Sequence, residues 1–472
     1  MMKSVDVAII GGGSAGYAAA RTAVSEGLET LVIEGGAEVG GLCILRGCMP
    51  SKALIESANR FRTLQRAREF GLSAESISAD PAAIMARKAR LIGEFADYRR
   101  AQLEDGRFQF VRGTAVFVDK DEIEVRHFDG EVERIKAKAF VLATGSVVQM
   151  PNIPGLGEVD FITSDDALEL RDIPPSMIVL GAGPVALEMA HYFSAIGVEV
   201  TIIQRSNQVL KGVDSDVAQV VEAAFNERGV RVFTDTRISS VTQDPVTGQK
   251  SVTFFHLGQE REVVAGCILN ALGRSPNTSG LDLHAAGVDL ENGRIKIQKT
   301  MQTTAAHIFA AGDVCGPYEV VHVAIQQGEM AARNISRLLQ SGGSAEFEKM
   351  DYRLKLFAVF TDPEVGVVGI TEEEAGKINM NVVAASYPFN DHGKSLVMGE
   401  PHGFVKLIMD VESGEICGGA VVGPHASELI HEVVVAMAFH STPAQFAKIP
   451  HYHPTLSEIW SYPAEELAEW SI

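Results

Sequence analysis

Apolar and polar positions along the chain fall into a repeated pattern. Val5 to Ile10 is a short, nearly unbroken apolar run that ends at Gly11-Gly12-Gly13-Ser14-Ala15-Gly16 and passes into an alanine-rich stretch with helical spacing. Leu31-Val32-Ile33 is a second such run, closed by Glu34. Short apolar runs bounded by turn residues predict strands buried on both faces, so the pattern reads strand, glycine turn, helix, strand. The same unit returns at Met177 to Arg205, with Gly181, Gly183 and Ala186 standing where Gly11, Gly13 and Gly16 stood, and Gly197 matching Gly27. Ala143-Thr144-Gly145 closes the first strand series, and Ala271-Leu272-Gly273-Arg274-Ser275-Pro276-Asn277 closes the second in a similar way. After Asn277 the chain returns to the first unit through the strand Ile308-Phe309-Ala310-Ala311-Gly312-Asp313. From about Met350 the pattern becomes strand-rich, at Phe357 to Val368 and Gly403 to Val411, with a helix at Ala426 to His440. Ala67 to Glu104 reads as a solvated helical pair carrying no chemistry.

The turns carry the first chemistry. Gly11, Gly13 and Gly16 fit G-x-G-x-x-G, in which glycines allow the tight turn and let a pyrophosphate sit on the helix N-terminus. Glu34, at the end of the second strand, is placed to accept ribose hydroxyls. A fold of class α/β follows, with two Rossmann-like dinucleotide-binding domains and a strand-rich C-terminal domain.

Composition narrows the partners. The 472 residues suggest about three domains. A formal net charge of −20 argues against nucleic acid or an anionic membrane as partner. No run reaches the ~18 apolar residues of a membrane-spanning helix, and Met1-Met2-Lys3 leads straight into the first strand, so a cytoplasmic location is expected. The five cysteines, Cys43, Cys48, Cys267, Cys315 and Cys417, are too sparse for a disulfide framework.

Two of them fall in Gly40-Gly41-Leu42-Cys43-Ile44-Leu45-Arg46-Gly47-Cys48-Met49-Pro50-Ser51-Lys52. Five residues of regular helix rise ~7.5 Å, and a disulfide needs Cα atoms within ~7 Å. A regular helix cannot close that bridge. Gly47 and Pro50 are expected to supply the irregularity, giving a redox-active disulfide. The alternative is a pair of buried, reduced cysteines. Near the C-terminus, Pro454 fits the first turn of a helix and pushes His453 into extended backbone, while Glu458 falls one turn later, where it can orient the imidazole as a base.

The disulfide stretch and His451-Tyr452-His453-Pro454-Thr455-Leu456-Ser457-Glu458 resemble the class I pyridine nucleotide-disulfide oxidoreductases, which include dihydrolipoamide dehydrogenases, glutathione reductases and mercuric reductases. The resemblance spans essentially the whole chain. It implies FAD in residues 1–150 and 279–348, NAD(P) in residues 151–278 and a dimer-interface domain in residues 349–472. Gly312 and Asp313 are then flavin ligands alongside Ala143, Thr144 and Gly145. Gly273 and Arg274 join the cofactor-binding set. Cys48 becomes the thiol facing the flavin and Cys43 the interchange thiol. Lys52 pairs with Glu188 beside the flavin, and His453 with Glu458 serves the Cys43 of the other subunit of a homodimer. A buried Lys and Glu are each unfavourable alone, so pairing is expected. No metal ligand set is implied.

Within the family, the disulfide and C-terminal motifs look most like dihydrolipoamide dehydrogenases, and the second nucleotide unit more like mercuric reductases. No cysteine follows Cys417, so the C-terminal metal-delivering pair of the latter is not expected. Leu42 replaces the usual Thr and Leu45-Arg46 the usual Asn-Val. An arginine beside the thiols is expected to lower their pKa or to meet an anionic substrate. The reaction implied is electron transfer between NAD(P)H, flavin and Cys43-Cys48, to or from a disulfide or dithiol. An NADPH-dependent disulfide or metal-ion reductase of the same family is one alternative; a flavin-bound redox sensor without turnover is another. Gln204 and Arg205 occupy the place that Glu34 holds in the first unit. A neutral amide beside a guanidinium accommodates a 2′-phosphate that a carboxylate would repel, which favours NADP over NAD.

Overall fold

The computed structural model describes residues 3–341 and 346–470. The chain forms two compact units, each assembled from three separate stretches.

The first unit comprises Met1–Pro50, Ala86–Gln149 and Arg274–Asp351. Its sheet runs Gln109–Asp119, Thr30–Glu34, Lys3–Ile10, Val132–Leu142, Ile308–Ala310, with every neighbouring pair parallel. The far ends of the two long strands close through an antiparallel strand, Glu122–His127. Val7, Ala8, Ile9, Leu31, Val32, Phe140 and Val141 are buried, as apolar runs in a sheet covered on both faces must be. Helix Ser14–Ser25 buries Ala15, Ala18, Ala19, Ala20 and Ala23. Helix Val321–Ser341 packs against it so closely that a Cβ at Gly328 would lie 2.2 Å from the Ala15 carbonyl oxygen. Small residues on both helices permit that approach.

The second unit comprises Ser51–Met85, Met150–Gly273 and Tyr352–Ile472. One sheet repeats the plan of the first unit: Arg231–Phe233, Glu199–Ile203, Ser176–Leu180, Cys267–Asn270, Ile162–Thr163, all parallel. A three-stranded antiparallel sheet, Thr236–Gln243 with Lys250–His256 and Gln259–Ala265, accompanies it. A five-stranded antiparallel sheet follows in the order Leu356–Val359, Glu364–Gly369, Ile416–Gly423, Phe404–Asp410, Val382–Pro388. Helix Ala426–Ala438 covers it, burying Leu429, Ile430 and Val433, while the indole of buried Trp460 donates to the Leu429 carbonyl at 3.2 Å. The protein is therefore α/β, with two dinucleotide-type sheets and an α+β portion near its C-terminus.

The segment expected to be a solvated helical pair differs. It holds a single 3₁₀ turn, Ala67–Phe70, and one long helix, Pro81–Leu103. Leu103 is buried, and the Arg99 guanidinium lies 4.2 Å from the centre of the Tyr17 ring. Apolar residues spaced along the helix, not its charged ones, decide where it packs.

Candidate functional site

The first glycine turn is shaped by backbone approach. Gly11 has φ +108°, and a Cβ there would lie 2.3 Å from the Ala143 carbonyl oxygen; at Gly16 it would lie 1.8 Å from the Gly11 carbonyl oxygen. Nothing but the Gly41 Cα comes within 4 Å of the Cβ position at Gly13. The turn is thus closed against its own sheet at two glycines and open at the third. Glu34 stands beside it, one carboxylate oxygen accepting from Gly12 N–H at 2.8 Å and the other from Gly36 N–H at 2.6 Å. The turn that follows strand Ile308–Ala310 also arrives here, carrying Gly312. Gly312 has φ +82°, a Cβ on it would touch Ala15, and its N–H donates to Gln327 Oε1 at 2.7 Å. Asp313 accepts from Ser146 Oγ at 2.7 Å, and Arg274 Nε donates to that same hydroxyl at 2.9 Å. Thr144 Oγ1 donates to the Asn277 carbonyl and Asn277 Nδ2 to the Thr144 carbonyl, at 2.6 and 3.2 Å. Gly145, at φ +70°, accepts from Asn277 N–H at 2.9 Å. The two strand-closing motifs are therefore hydrogen-bonded side by side.

The redox stretch leans on this turn. A Cβ at Gly41 would sit 2.7 Å from Gly13 Cα, so the lead-in to Cys43 touches the phosphate turn directly. Cys43 lies in the short helix Gly41–Leu45, and a new helix, Cys48–Gln65, begins at Cys48. The break is at Arg46, with φ −142° and ψ 23°, and Gly47, whose Cβ position lies 3.2 Å from Cys43 Cα. Pro50 plays no part in it. It sits in the first turn of the second helix, where its missing N–H costs nothing. Arg46 is exposed and pairs with Glu38 at 2.7 Å, which spends its charge on a carboxylate rather than on the thiols. Burial raises the thiol pKa of Cys267, and pushes those of Cys315 and Cys417 up to about 12. Those three remain protonated at neutral pH and are poor nucleophiles.

Lys52 and Glu188 meet within the second unit. The ammonium lies 2.9 Å from both carboxylate oxygens, with the Lys side chain 32% and the Glu side chain 5% exposed. Glu188 also accepts from Phe360 N–H at 3.1 Å, and the Lys52 ammonium lies 4.6 Å from the centre of the Phe360 ring. Both oxygens of the buried Glu188 carboxylate thereby accept from a donor.

The second glycine turn copies the first. Gly181 has φ +103°, and its Cβ position lies 2.6 Å from the Ala271 carbonyl oxygen; nothing lies within 4 Å at Gly183. Gly273 also has positive φ, +118°. Gly183 precedes helix Pro184–Ala195, and Ala186 is buried in it. Ala186 keeps a methyl where Gly16 has none, so this helix cannot approach its turn as tightly. Gln204 follows the second strand, its Nε2 donating to the Gln208 carbonyl at 3.4 Å, and Arg205 beside it is exposed.

At the C-terminal end, His453 Nδ1 lies 2.9 Å from one Glu458 oxygen and 3.2 Å from the other. The imidazole is 79% exposed, the carboxylate only 13%. Pro454 does not open a helix; a 3₁₀ turn begins at Ser457 and passes into helix Ser461–Glu469. Proline is permitted in a first helical turn but does not enforce one.

Residues 5–328 match the family described as pyridine nucleotide-disulphide oxidoreductase, and residues 357–464 match its dimerisation domain. The chain belongs to the pyridine nucleotide-disulphide oxidoreductases. Among its relatives, a dihydrolipoyl dehydrogenase of Bacillus subtilis is 34% identical over 456 residues, covering 96% of both chains. One from Chlamydia pneumoniae is 33% identical, covering 98% of this chain and 96% of its own. LpdA of Mycobacterium tuberculosis superposes with a TM-score of 0.86 at 29% identity, covering 99% of this chain and all of that one. As a member of this family the protein is a flavoprotein disulfide oxidoreductase of the dihydrolipoamide dehydrogenase-like kind, using FAD and a pyridine nucleotide. Among the described residues no helix is long and apolar enough to cross a membrane.

The residues present fit both groups of such an oxidoreductase. The Cβ positions at Gly13 and Gly183 are open, leaving room beside each turn for a pyrophosphate, and each turn heads a helix of 12 residues whose N-terminal N–H groups suit an anion. Replacing Gly16 by alanine should drive the helix off its turn, because the added methyl meets a carbonyl rather than a movable side chain. Purified Gly16→Ala protein should carry little FAD and melt several degrees lower. Full flavin content by absorbance would contradict this.

Several supports had no signal in the motifs: Phe360, Gln327, Ser146 and, against Glu458, the buried His392. All are polar groups or backbone atoms brought in from distant segments by packing.

Proposed function

We propose that the protein oxidises or reduces a small dithiol or disulfide of the lipoamide type, acting as a homodimer in the cytoplasm. Residues 1–150 with 279–348 would hold FAD, residues 151–278 NADP, and residues 349–472 the dimer contact. When bound, FAD passes an electron pair between the nicotinamide and the Cys43-Cys48 pair.

The remaining chemistry belongs to the chain. In the dithiol-oxidising direction a substrate thiolate attacks the sulfur of Cys43, and the Cys48 thiolate leaves. The second substrate thiol loses its proton to His453 Nε2 and attacks the mixed disulfide, releasing the oxidised substrate and the Cys43 thiolate. Glu458 accepts from His453 Nδ1–H and so fixes the tautomer that leaves Nε2 free. Lys52, held by Glu188, supplies a fixed positive charge on the helix that Cys48 begins.

The observation that carries this reading is the exposed His453 held by a shielded carboxylate. A nucleotide-oxidising flavoprotein with no thiol substrate would have no use for such a base. Steady-state turnover with NADPH or NADH against dihydrolipoamide, lipoamide, glutathione disulfide and Hg²⁺ tests it. Activity confined to Hg²⁺ would refute it.

The NADP assignment rests on Gln204 and exposed Arg205 at the end of the second strand. A charge-assisted hydrogen bond is worth ~1.5–3 kcal/mol, so Arg205→Ala should raise the KM for NADPH about tenfold or more and leave NADH nearly unchanged. Equal effects on the two nucleotides, or a wild-type preference for NADH, would rule NADP out.

A further inference from the structure

Glu458 has a second histidine. His392, fully buried, places Nε2 at 3.3 Å from Glu458 Oε1, on a carboxylate whose Oε2 lies 2.9 Å from His453 Nδ1. On its other side, His392 Nδ1 lies 2.8 Å from the hydroxyl of Ser395, itself fully buried. The resulting row is Ser395, His392, Glu458, His453; it runs from two fully buried residues through a carboxylate 13% exposed to an imidazole 79% exposed.

One proton arrangement keeps every donor facing an acceptor along the row. The serine hydroxyl donates to His392 Nδ1, His392 Nε2–H points at Glu458, and His453 Nδ1–H donates to the same carboxylate, leaving His453 Nε2 as an acceptor. His392 is then neutral. Burial lowers its pKa, opposed by the adjacent Glu458 carboxylate and assisted by repulsion from His453. Its N–H is off-axis for a full hydrogen bond and meets no other acceptor among the described residues, so any rotation that closes it on Glu458 is favourable.

The placement is built, not incidental. His392 precedes helix Gly393–Met398, reached from strand Val382–Pro388. Tyr387, the penultimate residue of that strand, stacks on Tyr462 at 3.9 Å and 7°, and its hydroxyl donates to Asp391 at 2.9 Å. Tyr462 belongs to the helix that directly follows the Glu458 turn. The two segments are therefore clamped together next to the histidine pair.

We infer that His392 is a positioning residue for the thiol base: it holds one oxygen of Glu458 so that the carboxylate plane is set for His453. A glutamate's terminal torsion is broad and turns easily. With His392 on one oxygen, the other stays aimed at His453 Nδ1. This inference rests on the reading of His453 as the base for thiols.

The test compares His392→Leu, His392→Gln and Ser395→Ala with wild type and His453→Ala, using the FAD-loaded dimer. In His392→Leu, kcat for dihydrolipoamide oxidation should fall about tenfold with KM little changed. Alkylation of Cys43 by iodoacetamide in the reduced protein, followed by mass spectrometry, should slow by a similar factor. His392→Gln, which keeps an N–H for Glu458, should recover most of both. Wild-type kcat and alkylation in His392→Leu would overturn the inference. So would equal losses in Leu and Gln, since that marks a packing role. If the leucine protein does not fold, Ser395→Ala decides, expected to lose severalfold in kcat and overturning the idea if it loses nothing. A His453→Ala enzyme as active as wild type would instead sink the underlying reading.

Discussion

Cys43→Ser enzyme should turn over dithiol substrates at a rate lower by roughly 10⁴-fold or more, the scale expected when a covalent nucleophile is removed. Neither Cys267, Cys315 nor Cys417 can substitute, because burial keeps each protonated. The same variant separates the roles of the two thiols. With Cys43 gone, Cys48 cannot be held in a disulfide, and its thiolate should give a long-wavelength thiolate-to-flavin absorption band in the untreated protein at neutral pH. Cys48→Ser should show no such band after two-electron reduction. A Cys43→Ser protein lacking the band would reverse the assignment of the two residues.

His453→Ala should lower dithiol turnover by roughly 10²–10⁴-fold, the usual contribution of a positioned acid-base group. Its exposure matters to the form of the test. A base whose carboxylate is shielded and whose ring is largely in solvent is built to serve something outside its own fold. Mixing inactive Cys43→Ser and His453→Ala chains should therefore restore activity, with one working site in each mixed dimer. If subunit exchange is verified by mass and no activity returns, the base does not act across the dimer.

What could be read from the sequence was whatever depends on local backbone demands. Gly11, Gly181, Gly27 and Gly197 all adopt positive φ, a requirement that glycine advertises in any context. The break between Cys43 and Cys48 was also legible, and at Gly47, although the part assigned to Pro50 was not borne out. Gly47 bends the chain while Pro50, the louder signal, is absorbed harmlessly into a first turn. Lys52 and Glu188 were paired through their motifs, yet the Phe360 N–H that completes the carboxylate's shell was invisible, since a backbone donor leaves no mark on composition. His392 was missed for the opposite reason. Amid Asn390-Asp391-His392-Gly393-Lys394 a histidine reads as solvated, and only tertiary packing buries it.

The close crossing of Gly328 on Ala15 also bears on how the protein comes into being on the ribosome. When the glycine turn, Glu34 and both redox thiols have emerged, the sheet that carries them still lacks strand Ile308–Ala310, and the alanine face of helix Ser14–Ser25 still lacks its covering helix. At ~5–20 residues per second, roughly tens of seconds pass before that cover is made. Throughout that interval the nascent N-terminal segment presents apolar surface and unpaired strand edge, so it is this half of the molecule, rather than the later-born second sheet, that should depend on chaperones.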